Sequence, residues 1–152
     1  MPFKQGIQIL NPLTADQSVT NSVVPVDITG FSIALLAGER LYWEVIGVFS
    51  TAIIGGWRFL AHSTAAPTKY NAVFNIVDIT TAAPAGTAYN DAQVAEAAFT
   101  NLSAVATNYQ LNAKGNLIAN TATTFSFQFA QNNAQANNIT MLAGMVMKLW
   151  RY

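Results

Sequence analysis

Cysteine is absent from the 152 residues, so neither a disulfide nor a thiolate metal site can be built. Charge is scarce. Charged residues make up 9% of the chain, against about a quarter in an ordinary soluble domain. Seven acids and seven bases cancel to a formal net charge of zero. With no basic excess and no basic cluster, nothing pulls the chain toward nucleic acid or anionic lipid, and neither is expected as a partner. No apolar run is long enough to span a bilayer. The best candidate, Val45 to Trp57, lies between Glu44 and Arg58 and contains Gly47, Gly55 and Gly56, which reads as two buried strands around a turn. Met1 to Gln8 lacks the basic-then-apolar layout of a signal peptide. A surface so poor in charge must be filled with Ala, Thr, Asn, Ser and Gln, or be covered by further copies or a partner.

What the chain does have is alternation. Phe125, Phe127 and Phe129 are separated by Ser126 and Gln128, which puts three rings on one face of a strand. A polar stretch from Gln131 to Asn138 follows, then Ile139, Met141, Ala143, Met145, Met147 and Leu149 at period two. This reads as a closing β-hairpin with a kink near Gly144, where a missing side chain makes one cheap. Upstream, residues 1–24 read as an N-terminal arm with a short strand near Gly6 to Leu10, and 25–152 as one β domain. Val23 to Leu36 gives one or two strands divided at Gly30, and Ala37-Gly38-Glu39 a turn. Leu41 to Thr51 is a strong strand with Leu41, Trp43, Val45 and Phe49 on one face. Glu44 lies on its other, otherwise apolar face and calls for a base such as Arg40 or Arg58, or for solvent.

Gly55-Gly56 reads as a hairpin turn into Trp57 to His62. Tyr70 to Thr80 alternates again. Asp91 to Leu102 is the one candidate helix, with Asp91 as its cap and a thin apolar face of Val94, Ala98 and Leu102, and irregular or extended structure is equally open there. Leu102 to Asn120 gives two short strands or one strand bent at Lys114-Gly115 or Gly115-Asn116. The sum is an all-β chain, an antiparallel β-sandwich of jelly-roll type with about eight to ten strands and at most one short helix.

Candidate chemistry is sparse. The single histidine, His62, stands beside Ser63 and Thr64, but no Gly-x-Ser-x-Gly elbow is present. The acids Asp16, Asp27, Glu39, Glu44, Asp78, Asp91 and Glu96 are scattered singly, so no pair is set up for glycoside hydrolysis. Neither a calcium loop nor a phosphate-binding glycine loop occurs. No enzymatic activity, cofactor or metal is expected. The aromatic residues could stack on a glycan, but core and subunit interface is the favoured reading of them. Trp43, Trp57, Phe125, Phe127, Phe129, Met145, Trp150 and Tyr152 are the candidate interface residues.

Three stretches, taken together, resemble a known module. They are Val26-Asp-Ile-Thr-Gly-Phe-Ser-Ile-Ala-Leu-Leu-Ala-Gly-Glu-Arg-Leu-Tyr-Trp-Glu-Val, Ile54-Gly-Gly-Trp-Arg-Phe-Leu, and Gly115 to Asn132 running on to Ile139 to Trp150. They look like a recurrent module of tailed-bacteriophage virion proteins. There, a Leu-Ala-Gly-Glu-Arg-Tyr turn leads into an aromatic strand, a Gly-x-Ile-x-Asn-Thr hairpin precedes the last two strands, and an Ala-Gly-Ser kink lies in the final one. Here Leu41 stands between Arg40 and Tyr42, and Met145 follows Ala143-Gly144 where the module has Ser. The resemblance implies a β-sandwich displayed on a phage virion, often as a homotrimer. Its expected role is a capsid decoration or cement protein bound to the major capsid protein or other virion proteins. The alternative is a tail or receptor-binding module that grips a host glycan.

Overall fold

The computed structural model describes residues 7–9, 12–51, 56–80, 88–101 and 107–152. Alternation becomes strand almost everywhere it occurs. Among the described residues the strands are β1 (Ile7–Ile9), β2 (Gln17–Thr20), β3 (Val26–Leu35), β4 (Arg40–Thr51), β5 (Trp57–Ser63), β6 (Lys69–Asp78), β7 (Ala88–Gln93), β8 (Phe99–Asn101), β9 (Thr107–Ile118), β10 (Thr123–Ala130), β11 (Asn138–Met141) and β12 (Val146–Arg151). They form two antiparallel sheets. The larger has eight strands, ordered β1-β12-β4-β9-β6-β7, with β11 paired to both β2 and β4. The smaller has four, ordered β3-β10-β5-β8. The chain is thus an all-β, two-layer sandwich, an arrangement compatible with the expected jelly roll.

The core lies between the sheets. Leu41, Trp43, Val45 and Phe49 of β4 all point inward at 0% exposure, as their spacing predicts. Tyr70, at 7%, and Ala72, Phe74 and Ile76, at 0%, point inward from β6. Facing them from the small sheet are Phe125, Phe127 and Phe129, also at 0%. The indole of Trp43 sits among Phe74, Phe125 and Phe127, with centroids 6.5, 5.6 and 5.8 Å away. Trp57 packs on Phe49 and Tyr109 at 5.7 and 4.8 Å. Burial of these rings is the main source of stability, and their tilted and edge-on contacts add to it.

Several connections differ from the sequence expectation. Phe125 to Tyr152 does not form a hairpin: β10 pairs with β3 and β5 in the small sheet, while β11 and β12 pair with β4 in the large one. The Gln131 to Asn138 stretch crosses between layers instead of turning within one. Its first residue is buried at 1% exposure and works as a staple. Gln131 Oε1 accepts from the amides of Ser22 and Gln135 at 3.0 and 3.2 Å, and Nε2 donates to the carbonyls of Gln135, at 3.1 Å, and Asn137.

Likewise β4 and β5 belong to different sheets, so the chain changes layers rather than making a hairpin there; Gly55 lies outside the described residues. No helix forms between Asp91 and Asn101. Asp91 is in β7, where its carboxylate accepts from Gln93 Nε2 at 2.8 Å instead of capping a helix. The thin alanine face could not outcompete strand pairing. Leu102 lies outside the described residues. Finally, β9 runs unbent through Gly115 and pairs with β4 along its whole length, from Arg40↔Ile118 to Thr51↔Thr107.

Two backbone expectations hold. Gly144 has φ of +92° and separates β11 from β12, so the final strand is kinked there. Gly30 has φ of +81° inside β3, and the β3–β10 register shifts between Ser126 and Gln128, a bulge in one strand rather than a break between two.

Candidate interaction face of the large sheet

The residues of β4 that do not enter the core point out of the sandwich, and the register sets their neighbours. Tyr42 lies between Trp150 and Asn116, Glu44 between Lys148 and Lys114, and Ile46 between Val146 and Asn112. On the next strand Asn116 meets Asn71, Lys114 meets Val73, and Asn112 meets Asn75. The outer face of the large sheet is therefore ordered in rows: one aromatic and amide, one charged, one aliphatic and amide. Tyr42 and Trp150 are half-buried and meet edge to face, with centroids 4.9 Å apart at 66°. Asn71 Oδ1 accepts from the Asn116 amide at 3.2 Å. Val73 is 42% exposed.

Glu44 pairs with Lys148, Nζ to Oε2 3.5 Å, rather than with Arg40 or Arg58. Arg58 instead donates to the Val23 carbonyl at 3.0 Å. A partly exposed pair of this kind contributes little stability. The charged row thus carries Lys114 and a neutralised pair, and in the row beyond Tyr42 the exposed Arg40 and Lys69 flank Ile118, so the face is modestly basic.

A second feature is a depression of about 480 Å³ lined in part by Ser63, Lys69, Tyr70, Val94 and Glu96. At its edge, His62 Nδ1 is 2.7 Å from Glu96 Oε1, and the Ser63 amide donates to Glu96 Oε2 at 3.1 Å. The Glu96 carboxylate thereby ties the segment after β7 to β5. Ser63 Oγ donates to the Ala65 carbonyl at 2.8 Å and lies 3.0 Å from Thr123 Oγ1, so its hydroxyl is committed to the turn after β5. Tyr70 donates to the Ala61 carbonyl at 3.2 Å. Burial, then the charges of Glu96 and Asp91, push its phenol well above the ordinary range.

Each of the seven acids is held by a local structural contact. Besides Glu44, Asp91 and Glu96, Asp16 accepts from the Ala143 amide, Asp27 from Gln128, Asp78 from the Thr80 amide, and Glu39 from the Leu36 amide. Among the described residues no group of three or more His, Asp or Glu side chains is placed to hold a metal ion.

The candidate interface residues divide sharply. Trp43, Trp57, Phe125, Phe127 and Phe129 are at 0% exposure and Met145 at 1%. They face the opposite sheet of their own sandwich, so they pack its core rather than a neighbouring copy. Trp150 remains on the outer face, and Tyr152 is 50% exposed beside it at the strand end. The amide residues of β6 and β9 were not singled out from the sequence, although Asn108, Gln110, Asn112, Lys114 and Asn116 alternate at period two in plain view.

No family model matches the chain, and no curated protein matches it. Among solved structures, the chain is similar to one titled "Structure of infectious bursal disease virus Gx strain", at 12% identity and a TM-score of 0.24. The match covers 97% of this chain and 39% of that one. A superposition at that score carries no argument about fold or role.

Proposed function

We propose that this protein is a virion structural protein of a tailed bacteriophage, a decoration or cement protein that binds the assembled head as a homotrimer and contacts the major capsid protein. The observation that carries the reading is the outer face of the large sheet: broad, regular, and set with Tyr42, Ile46, Val73, Val146 and Trp150 among amides and a few bases. Such a face, with apolar rings and aliphatic side chains spread among amides, suits broad contact with a protein surface. The resemblance of Val26 to Val45 and Gly115 to Trp150 to virion modules supports it. The glycines in two of those motifs sit where the backbone needs them, Gly38 at φ +81° and Gly144 at +92°. In this reading the protein performs no catalysis and needs no cofactor. Each copy bridges shell subunits, and trimer symmetry multiplies a modest contact into firm attachment.

Reconstruction of the intact virion tests it. Copies distributed in register with the head lattice support the reading, as do particles that burst at lower temperature without the protein. A few copies confined to the tail overturn it. Ile46→Lys should abolish head binding while leaving the fold intact, since Ile46 points outward.

A second reading follows from Tyr42 and Trp150. Two half-exposed rings beside Asn116 and Asn71 form a platform of the kind that stacks on sugars, with amides to bond hydroxyls. In a tail or receptor-binding module this patch would grip host surface polysaccharide. Binding of purified polysaccharide that is lost in Trp150→Ala would favour this reading over head decoration.

A further inference from the structure

β3 is the outer strand of the small sheet. β10 lies on one side of it, and among the described residues no strand lies on the other. An edge of this length is a template for a strand from another molecule, and proteins usually protect it with charge. β3 carries little: Asp27 is its one charged residue, and its carboxylate is engaged by Gln128 Nε2 at 2.8 Å. Val24 and Leu36, just beyond its two ends, are 66% and 68% exposed.

Side chains occupy the outward backbone groups instead, two at a time. Gln17 Nε2 donates to the Asp27 carbonyl at 2.8 Å, and Gln17 Oε1 accepts from the Thr29 amide at 2.8 Å. The carbonyl before Ile28 and the amide after it are the pair that a single residue of a parallel neighbouring strand would engage. The same pattern recurs around Leu35. Arg151 Nη2 donates to the Ala34 carbonyl at 2.9 Å, and Glu39 Oε2 accepts from the Leu36 amide at 2.7 Å. Arg151 Nη1 lies 3.7 Å from Glu39 Oε1, so the two halves hold each other in place. Gln17 and Arg151 belong to β2 and β12 of the large sheet. Each reaches across the open side of the sandwich to the edge of the other layer.

We infer that Gln17 and the Glu39–Arg151 pair are strand surrogates that close the free edge of the small sheet and stop a second copy from adding its own β3 there. A second copy is the relevant occupant because an antiparallel edge is self-complementary about a two-fold axis. Apart from Asp27, whose carboxylate Gln128 engages, the outward face of β3, with Thr29, Ser32 and Ala34, offers such a copy no bulk or charge to reject it. The bulge at Gly30 bends the strand between the two seals and reinforces them. The inference does not depend on where the protein acts.

The test uses the full chain with Gln17→Met and Glu39→Met together, which keeps side-chain bulk and removes the hydrogen bonds. Sedimentation across a wide concentration range should show self-association at least about tenfold tighter than in the unaltered protein. Amide exchange should show Thr29 and Leu36 losing protection in the dissociated variant. The amides from Ser32 to Leu36 should gain protection in the associated one. If the double variant does not fold, each single variant opens one seal and is read in the same way. A folded variant that keeps the original association state overturns the inference. So does one that associates without new protection along β3.

Discussion

Gly115 lies directly beneath the indole of Trp43. The two are register partners on β9 and β4, and a Cβ on Gly115 would meet Trp43 Cζ2 at 2.7 Å and the Asn71 carbonyl oxygen closer still. The absent side chain is therefore the space into which the largest core ring fits. Neither neighbour can retreat, because Asn71 is backbone in the adjacent strand and Trp43 is enclosed by three phenylalanines. Gly115→Ala should cost about 3 kcal/mol, read as a shift in urea midpoint. Gly38→Ala is the contrast. Nothing lies within 4 Å of that position, but φ is +81°, so only the backbone penalty of about 1 kcal/mol should appear.

The strands and inward residues of this protein were legible because period-two alternation is local. Leu41, Trp43, Val45 and Phe49 announce a half-buried strand whichever strand lies beside them. Sheet membership was not legible. A crossing between layers and a hairpin turn have the same signature of polar, glycine-bearing sequence, and only distant pairing separates them. Thus Phe129 and Met141 read as lying on the two arms of one hairpin, but Phe129 pairs with Phe59 and Met141 with Phe49. Gly115 looked like a bend for a related reason: a glycine that makes room for Trp43 is indistinguishable in sequence from one that turns the chain. Of the candidate surface, Trp150 was visible as a terminal aromatic. Gln17 was not, because a single glutamine carries no sign that its amide will stand in for a strand.

Gln131 should be among the least replaceable polar residues. It is buried, and its amide satisfies two backbone donors and two backbone acceptors in the crossing between β10 and β11. Gln131→Leu preserves volume but leaves those groups without their partner. The expected loss is about 3 kcal/mol, with part of the cost relieved by water at the crossing. Gln131→Glu should do no better, because its second oxygen would face the Gln135 and Asn137 carbonyls in place of a donor. Equilibrium denaturation of both variants checks this, and a loss below about 1 kcal/mol would show that the crossing does not depend on the staple.

Tyr70 predicts how the protein responds to alkali. Burial and the nearby Glu96 and Asp91 raise its folded-state pKa above the ordinary value near 10. The unfolded chain therefore gives up this proton first as pH rises. The stabilisation is complete below about pH 10 and declines as pH climbs toward the raised folded value, with a limiting slope of about 1.4 kcal/mol per pH unit. Tyr70→Phe removes the hydrogen bond to Ala61 and should cost about 1 kcal/mol at neutral pH. It also removes this alkaline loss, so the variant's disadvantage should shrink and then reverse above about pH 10. Urea midpoints measured on both sides of that value test the crossing. Parallel profiles would mean that the phenol ionises freely in the folded protein.

The end of β12 should be structural rather than loose. The Tyr152 amide donates to the Arg40 carbonyl at 3.1 Å, and the Arg40 amide donates back to Tyr152 at 3.2 Å. Trp150 covers Tyr42, and its backbone also pairs with Ile7 of β1. Deleting Trp150 to Tyr152 removes both backbone bonds, the ring contact, and the Arg151 half of the β3 seal. The expected loss is about 3 kcal/mol, seen as a fall in Tm of about 10 °C. Arg151→Met separates the two effects. It keeps the strand pairing and the Trp150 contact but opens the seal, so its Tm should stay within a few degrees of the parent while self-association tightens. If the deletion leaves Tm unchanged, the Arg40–Tyr152 pairing does not persist in solution. If Arg151→Met destabilises as much as the deletion, Arg151 serves mainly to dock the strand rather than to guard the edge.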